Sequence, residues 1–368
     1  MSNQKKKILF SAYSLEVGGI ETALVNLLNY LYKTNKYEIT LVLEKKAGVL
    51  LNKLNEDIKI IEYAPSYNKL FGKFINAIKR VTFSLKYKNK YDASFAYATY
   101  CKMASATAQM ASNNCNLWVH SSYLDIFNND NKEYAKFFNE LNINRFKNIL
   151  FVSNKSKKEF EKIMNKHNTI QCNNIIDYKK IKDLSLEKIS EEKIDKCTFL
   201  YVGRIVEDSK KISRLLEAAN ILKENNLNYR ILIIGNGRDY KKALQYVHEN
   251  SLEERVVFLG EKVNPYPYFK IADALILVSE NEGYPVVYNE AKILNLPIIT
   301  TDVSDSKLDI DKRFGIVCNQ DVESIVDVME RLIKNGQLET FGSLEIFDAE
   351  KYNNEIKNKL EKIIEERT

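Results

Sequence analysis

The stretch from Ala272 to Asp302, ADALILVSENEGYPVVYNEAKILNLPIITTD, constrains the fold more than any other part of this 368-residue chain. ADALILVS is a short apolar run of the kind that fills a buried parallel strand. Glu282-Gly283-Tyr284 reads as a loop, and Pro285 suits the first position of a helix because its missing N–H would be unpaired there anyway. Glu290 then falls about one and a half turns into that helix, and LPIITTD reads as the next strand. A parallel sheet presents such a loop at its carboxyl edge, where ligands of open α/β sheets bind. The helix start offers free N–H groups and a positive dipole end to a phosphate. Two carboxylates beside an anion site would repel the anion, so they need another task. Accepting hydrogen bonds from the hydroxyls of a sugar and a ribose is a suitable one, which points to a nucleotide-sugar.

The rest of the chain alternates in the same way. KKILFSA, YEITLVL, IKIIEY, YDASFAYA, NLWVH and NILFVS read as strands in the first half. Helices are expected over Ile20–Leu31, Leu70–Leu85, Glu133–Arg145 and Lys155–Lys166. A second βα series starts at CTFLYVG and includes YRILIIG and RVVFLG, with helices over Ile212–Asn225, Tyr240–Glu249 and Val322–Lys334. This alternation predicts doubly wound parallel sheets in an α/β protein. The Lys- and Glu-rich stretch 179–196 reads as a linker between a domain of residues 1–178 and one of 197–348. Residues 349–368, with Ile356, Leu360, Ile363 and Ile364 at helical spacing, are assigned to the first domain.

Composition excludes several classes. No apolar run approaches the ~18 residues of a membrane span. Lys5-Lys6-Lys7 before ILFSAYSL superficially suggests a secretory signal, but Glu16 closes the run and no small-residue cleavage site follows, so the chain reads as cytoplasmic. The five cysteines are scattered without CxxC or Cys/His clusters, which indicates neither a disulfide framework nor a zinc site. The net charge of +6 is mild, and no nucleic-acid motif accompanies it.

Four further constellations stand out. In VGRIVEDSKKISRLLEAA a strand delivers Gly203-Arg204 to the sheet edge, and Lys210 follows at a helix start. Such cations can neutralise the diphosphate left by a nucleotide-sugar in place of a metal ion. Gly18-Gly19-Ile20-Glu21 opens the first long helix, where glycine lets a backbone approach a ligand closely. His120 ends NLWVH, again at a carboxyl strand edge. Lys69–Lys90 interleaves seven basic residues with apolar ones and has no acidic residue. It reads either as a contact with an anionic membrane surface or as a helix packed on its sheet. By contrast, the GNG at 235–237 is no dinucleotide fingerprint, because GxGxxG would need glycine where Tyr240 stands.

E-G-Y-P with a second glutamate eight positions after the first, followed by Ala291 and L-P-I-I-T-T-D, resembles the E-x(7)-E signature of glycosyltransferase family 4 (group 1). The segment at 202–211 resembles the family's G-R-x(4–5)-K-G, with Lys211 where the family often has Gly, and IIGNG resembles its IVGxG turn. The resemblance implies a GT-B fold: two Rossmann-like doubly wound domains facing a central cleft, with a last helix crossing back to the N-terminal domain. It further implies a retaining glycosyltransferase using a nucleotide-diphosphate sugar, with UDP the usual nucleotide. The acceptor would be a hydroxyl of a glycan or lipid-linked acceptor in cell-surface polysaccharide synthesis, capsule or lipopolysaccharide. Arg204, Lys210, Glu282 and His120 would be the catalytic group. Gly18, Gly19, Gly203, Gly283, Tyr284, Pro285 and Glu290 would bind the donor, with no metal or other cofactor. The enzyme would work in the cytoplasm or peripherally on the inner face of the plasma membrane. An epimerase of GT-B shape and a non-catalytic, nucleotide-sugar-binding subunit are the alternatives, and a nicotinamide oxidoreductase lacks its fingerprint. Open-cleft positions for Arg204, Lys210, Glu282 and Glu290 would make their replacement near-neutral for stability.

Overall fold

The strands of the chain assemble into two all-parallel sheets, seen in a computed structural model that describes residues 4–16, 18–165, 167–336 and 345–366. The first contains β1 (Lys6–Ala12), β2 (Tyr37–Leu43), β3 (Lys59–Glu62), β4 (Ala93–Ala96), β5 (Cys115–Val119), β6 (Asn148–Phe151) and β7 (Thr169–Gln171). Their spatial order is β3-β2-β1-β4-β5-β6-β7. The second contains β8 (Cys197–Val202), β9 (Tyr229–Ile234), β10 (Val256–Gly260), β11 (Ala274–Leu277), β12 (Ile298–Thr301) and β13 (Gly315–Cys318), ordered β10-β9-β8-β11-β12-β13. Each sheet therefore reverses its winding once, between β1 and β4 and between β8 and β11, the strand order of a Rossmann sheet.

Burial explains the unbroken apolar strands. Ile8, Leu9 and Phe10 of β1 and Leu275 and Ile276 of β11 are fully buried, because helices cover both sheet faces. Helix Gly19–Lys33 turns Leu24, Leu27, Leu28 and Leu31 inward at spacings of three and four. Helix Lys102–Ala111, KMASATAQMA, was not expected from the sequence. Eight of its ten residues are buried, so its pattern lacks the polar face that reveals a helix. Strands β7 and β13, of three and four residues, were also unexpected. The expected helix end at Lys166 lies outside the described residues.

By internal contacts the chain forms one unit from residues 1–176 with 350–368, and another from 177–349. The stretch 179–196 counts with the second unit and contains most of helix Tyr178–Leu184. Residues 367–368 lie outside the described part of the first unit. The final helix, Ala349–Glu365, rejoins the first unit through Ile356, Leu360, Ile363 and Ile364, all buried. Two amides fix it there. The side chain of Asn353 accepts from Ile176 N at 3.0 Å and donates to Ile176 O at 2.7 Å. Asn114 donates to Ile363 O at 2.7 Å. Among the described residues no helix is long and apolar enough to cross a membrane.

Asn353 is buried and satisfies both polar groups of one peptide position, so Asn353→Ala strands an N–H and a C=O. Each costs about 1–3 kcal/mol. Thermal or urea unfolding should show the loss clearly, and a variant that unfolds like the wild type would contradict this docking of the last helix.

Candidate functional site

At the winding reversal of the second sheet, the connections leaving β8 and β11 diverge and leave a crevice at their carboxyl ends. The β8 loop carries Gly203 and Arg204, and the β11 loop carries Glu282 and Gly283. A third loop, after β9, braces the first. Gly203 N donates to Ile234 O at 3.0 Å, and Ile205 N to Asn236 O at 2.9 Å. Gly235 has φ +143°, and a Cβ there would lie 1.9 Å from Gly203 O. Only glycine fits, so the GNG turn is a packing element for the Arg204 loop.

Two ion pairs join the β8 and β11 connections. Lys210 Nζ pairs with Glu282, which also accepts from Ser279 Oγ at 2.8 Å. The Lys210 and Glu282 side chains keep only 17% and 11% of their surface exposed, so water screens the pair weakly. Arg214 pairs with Glu280 and donates to Val278 O at 3.3 Å. Glu280 N also donates to Ser209 O at 2.9 Å. Arg204, by contrast, is exposed and has no ion-pair partner among the described residues. The expectation that all four charged positions line open space therefore fails for Lys210 and Glu282, and for Glu290, whose carboxyl is also shielded; only Arg204 meets it. Removing Lys210 or Glu282 leaves the other shielded and uncompensated, which is destabilising in its own right.

The backbone separates Lys210 from Lys211. Lys210 ends the short helix Glu207–Lys210, and Lys211 takes a left-handed conformation, φ 47° and ψ 49°, before helix Ile212–Glu224. That conformation suits glycine best, which gives a physical reason for a glycine at this position in sequences of this pattern.

After the β11 loop, Pro285 is the extended N-cap of helix Val286–Ile293, one position earlier than the first helical residue expected for it. Pro285 has no side-chain acceptor, so it leaves the first N–H groups of this helix without an N-cap bond. Glu290 lies in the helix and accepts from Tyr266 Oη at 3.2 Å. Burial pushes its carboxyl up to about 7, against the opposing Tyr266 hydrogen bond. Tyr284 turns its hydroxyl inward, to Asp309 Oδ2 at 2.5 Å and Asn289 Oδ1 at 3.1 Å. Lys292, which the sequence reading passed over, completes this cluster. Its Nζ donates to Asp309 Oδ2 at 2.6 Å and to Tyr284 Oη at 3.3 Å, and lies 4.8 Å from the Phe314 ring centre. Burial lowers the Lys292 pKa, opposed by Asp309. Tyr284 is thus anchored by a buried lysine.

In the first unit, Gly18, Gly19 and His120 share the carboxyl edge of its sheet, Gly18-Gly19 following β1 and His120 following β5. Gly18 is extended, with φ −175°, and the Glu21 carboxylate folds back over it. Tyr100 Oη donates to Glu21 at 3.1 Å, a partner the sequence did not reveal. His120 is buried between Tyr97 and Trp118, with ring centres 4.2 and 5.7 Å away. Neither ring nitrogen has a hydrogen-bond partner among the described residues, and burial pulls its pKa down to about 3. It is a neutral imidazole with unused donor and acceptor capacity.

Residues 184–343 match the family model described as glycosyl transferases group 1. A 124-residue stretch is 30% identical to the lipopolysaccharide 1,6-galactosyltransferase of Escherichia coli, covering 32% of this chain and 34% of that protein. Another, of 117 residues, is 33% identical to the capsular polysaccharide biosynthesis glycosyltransferase CapH of Staphylococcus aureus, covering 31% and 33%. The matched region spans about a third of the length of these curated relatives. Among solved structures, Anabaena Alr3699/HepE in complex with UDP and glucose superposes with a TM-score of 0.76. That match covers 97% of this chain and 99% of that one at 17% identity. The lipopolysaccharide outer core galactosyltransferase WaaB gives 0.66 over 96% and 99%, at 19% identity. These likenesses identify the fold as GT-B, two Rossmann-like α/β domains.

The left-handed backbone at Lys211 costs a side-chain-bearing residue about 1–2 kcal/mol, while glycine loses about 0.4–1 kcal/mol through the unfolded chain. Lys211→Gly should therefore raise stability by about 0.5–1 kcal/mol. A lower melting temperature for Lys211→Gly would contradict the backbone role assigned to it.

Proposed function

We propose that this protein is a retaining glycosyltransferase of family 4 that moves a sugar from a UDP-sugar to a hydroxyl of a glycan or lipid-linked acceptor in cell-surface polysaccharide synthesis. One observation carries this reading. At the β8/β11 reversal, an unpaired guanidinium (Arg204), a lysine–glutamate pair (Lys210 and Glu282) and an uncapped helix start are supplied by the same two loops. The group 1 family match over 184–343 and the likeness to lipopolysaccharide and capsular polysaccharide glycosyltransferases support the reaction class. The UDP and glucose bound in the HepE structure support the choice of UDP.

In this mechanism the donor diphosphate takes Arg204 first, since that cation has no ion-pair partner to give up among the described residues. Lys210 then divides its charge between Glu282 and the phosphate. As the bond from the anomeric carbon to the diphosphate oxygen breaks, these cations and the N–H groups from Val286 onward stabilise the growing charge. The acceptor hydroxyl attacks the anomeric carbon from the face being vacated, and its proton passes to the departing diphosphate oxygen. No protein nucleophile is used. Glu282 holds donor-sugar hydroxyls and Glu290 the ribose, while Tyr284 supports the loop from within. Gly18 and Gly19 of the first unit are proposed to bind the donor, and His120 to act in catalysis. No metal enters this scheme, because side-chain cations do its work.

The deciding experiment follows sugar transfer from UDP-sugars to a lipid-linked or glycan acceptor preparation in the presence of EDTA. Transfer should persist, and Arg204→Ala should lower turnover on the order of 10²-fold with an unchanged melting temperature. Arg204→Ala is the cleaner probe, because Lys210→Ala also unpairs Glu282. Activity that vanishes in EDTA and returns with magnesium would refute the metal-free scheme. Sugar interconversion without acceptor would indicate an epimerase, and donor binding without transfer a non-catalytic subunit.

A further inference from the structure

Helix Gly72–Tyr87 carries apolar side chains on two opposite faces. One face is buried, through Phe83 and Tyr87. On the other, Phe71, Phe74, Ile78, Val81 and Leu85 recur at intervals of three and four, and each is 48–78% exposed. At about 100° per residue these five fall within an arc of roughly 80°, turned away from Phe83. The helix thus packs on its own unit through one face and leaves the other, apolar face uncovered among the described residues. Between Tyr63 and Tyr91 the chain has no Asp or Glu, so nothing local neutralises its cations. Lys79 is tied back to Ala64 O at 2.6 Å, but most of the others face solvent.

An open groove of about 370 Å³ runs beside this stripe. Val81, Leu85 and Met110 line it together with Arg80, Lys88 and Arg145, and no acidic residue does. These three cations are exposed and have no ion-pair partner among the described residues. Because Val81 and Leu85 belong to both groove and stripe, a cationic site and an apolar ridge share one edge. A second copy of this chain would set the same unneutralised cations against each other. An anionic lipid surface answers both features, with phosphate headgroups for the cations and an acyl boundary for the Phe and Leu side chains.

We propose that this face docks on an anionic lipid membrane, the Arg80–Lys88–Arg145 groove taking a lipid phosphate headgroup and the exposed stripe entering the acyl boundary. The docking goes beyond the transfer reaction and does not depend on it. The test is flotation of the full chain with phosphatidylcholine vesicles, with and without phosphatidylglycerol. The wild type should float with the anionic vesicles and be released by high salt as the charges are screened. Replacing Arg80, Lys88 and Arg145 together by Gln should lower partitioning on the order of 10²-fold, at about fivefold per basic residue. Phe74→Ser with Ile78→Ser and Leu85→Ser should abolish it. Both variants should melt like the wild type and keep transfer to a soluble acceptor. If the triple stripe variant folds poorly, Phe74→Ser alone reads the same face. Equal flotation with neutral vesicles, or none with anionic ones, overturns the proposal. So does displacement by millimolar inorganic phosphate, which would mark a soluble-anion site. A lipid-free dimer that the stripe substitutions dissociate would instead assign the face to a second copy.

Discussion

The pairing of Lys210 with Glu282 ties together the two connections that the winding reversal of the second sheet sends apart. Each residue is largely shielded, so neither charge would persist there alone at low cost. The pair holds the β11 loop in place before any ligand arrives, and Arg214 with Glu280 joins the same two connections a second time. A fixed loop matters because a site built for charge that grows during reaction works best when its dipoles need not reorganise. The cost is that Lys210 is already partly neutralised. That leaves Arg204 as the cation with its full charge available.

Beneath the same loop lies a second, buried cation. Lys292 links Tyr284 and Asp309 and sits against the Phe314 ring. It holds Tyr284 from within the core, and together with Asp309 and Asn289 it engages the Tyr284 hydroxyl. Glu290, four residues into the helix, stands in a setting dry enough to bring its carboxyl near neutrality. The helix therefore presents one carboxyl whose charge depends on pH within the ordinary working range.

Much of this was legible in the residues because strands buried on both faces read as continuous apolar runs. ILF in β1, ILII in β9 and ALIL in β11 announced themselves, and the Leu periodicity of Gly19–Lys33 did the same. Helix Lys102–Ala111 stayed hidden because small residues buried on nearly all sides leave no polar stripe, and β7 and β13 because they are part-buried edge strands without a continuous apolar run. For the candidate site, spacing singled out Glu282, Glu290, Arg204 and Lys210. It could not show that Lys210 and Glu282 meet, since they are 72 positions apart. Lys292 and Tyr266 were invisible for the same reason. Their roles depend on what packs around them, and a lysine two positions after Glu290 looks like any solvated helix residue.

The central claim is that the second unit's crevice holds a nucleotide with the Glu290 carboxylate on its ribose, and UDP affinity against pH tests it most directly. A group with pKa about 7 is about nine-tenths protonated at pH 6 and about nine-tenths ionised at pH 8. Because the ionised carboxylate is the better acceptor of ribose hydroxyls, the sign is fixed: affinity falls as pH falls. Calorimetric titration of UDP should show the wild type binding about tenfold more tightly at pH 8 than at pH 6, beyond the change seen in Glu290→Gln. The variant carries the phosphate's own ionisation as a baseline and should bind more weakly at pH 8. Identical pH profiles and equal affinities for the two proteins would contradict the account and place the nucleotide elsewhere.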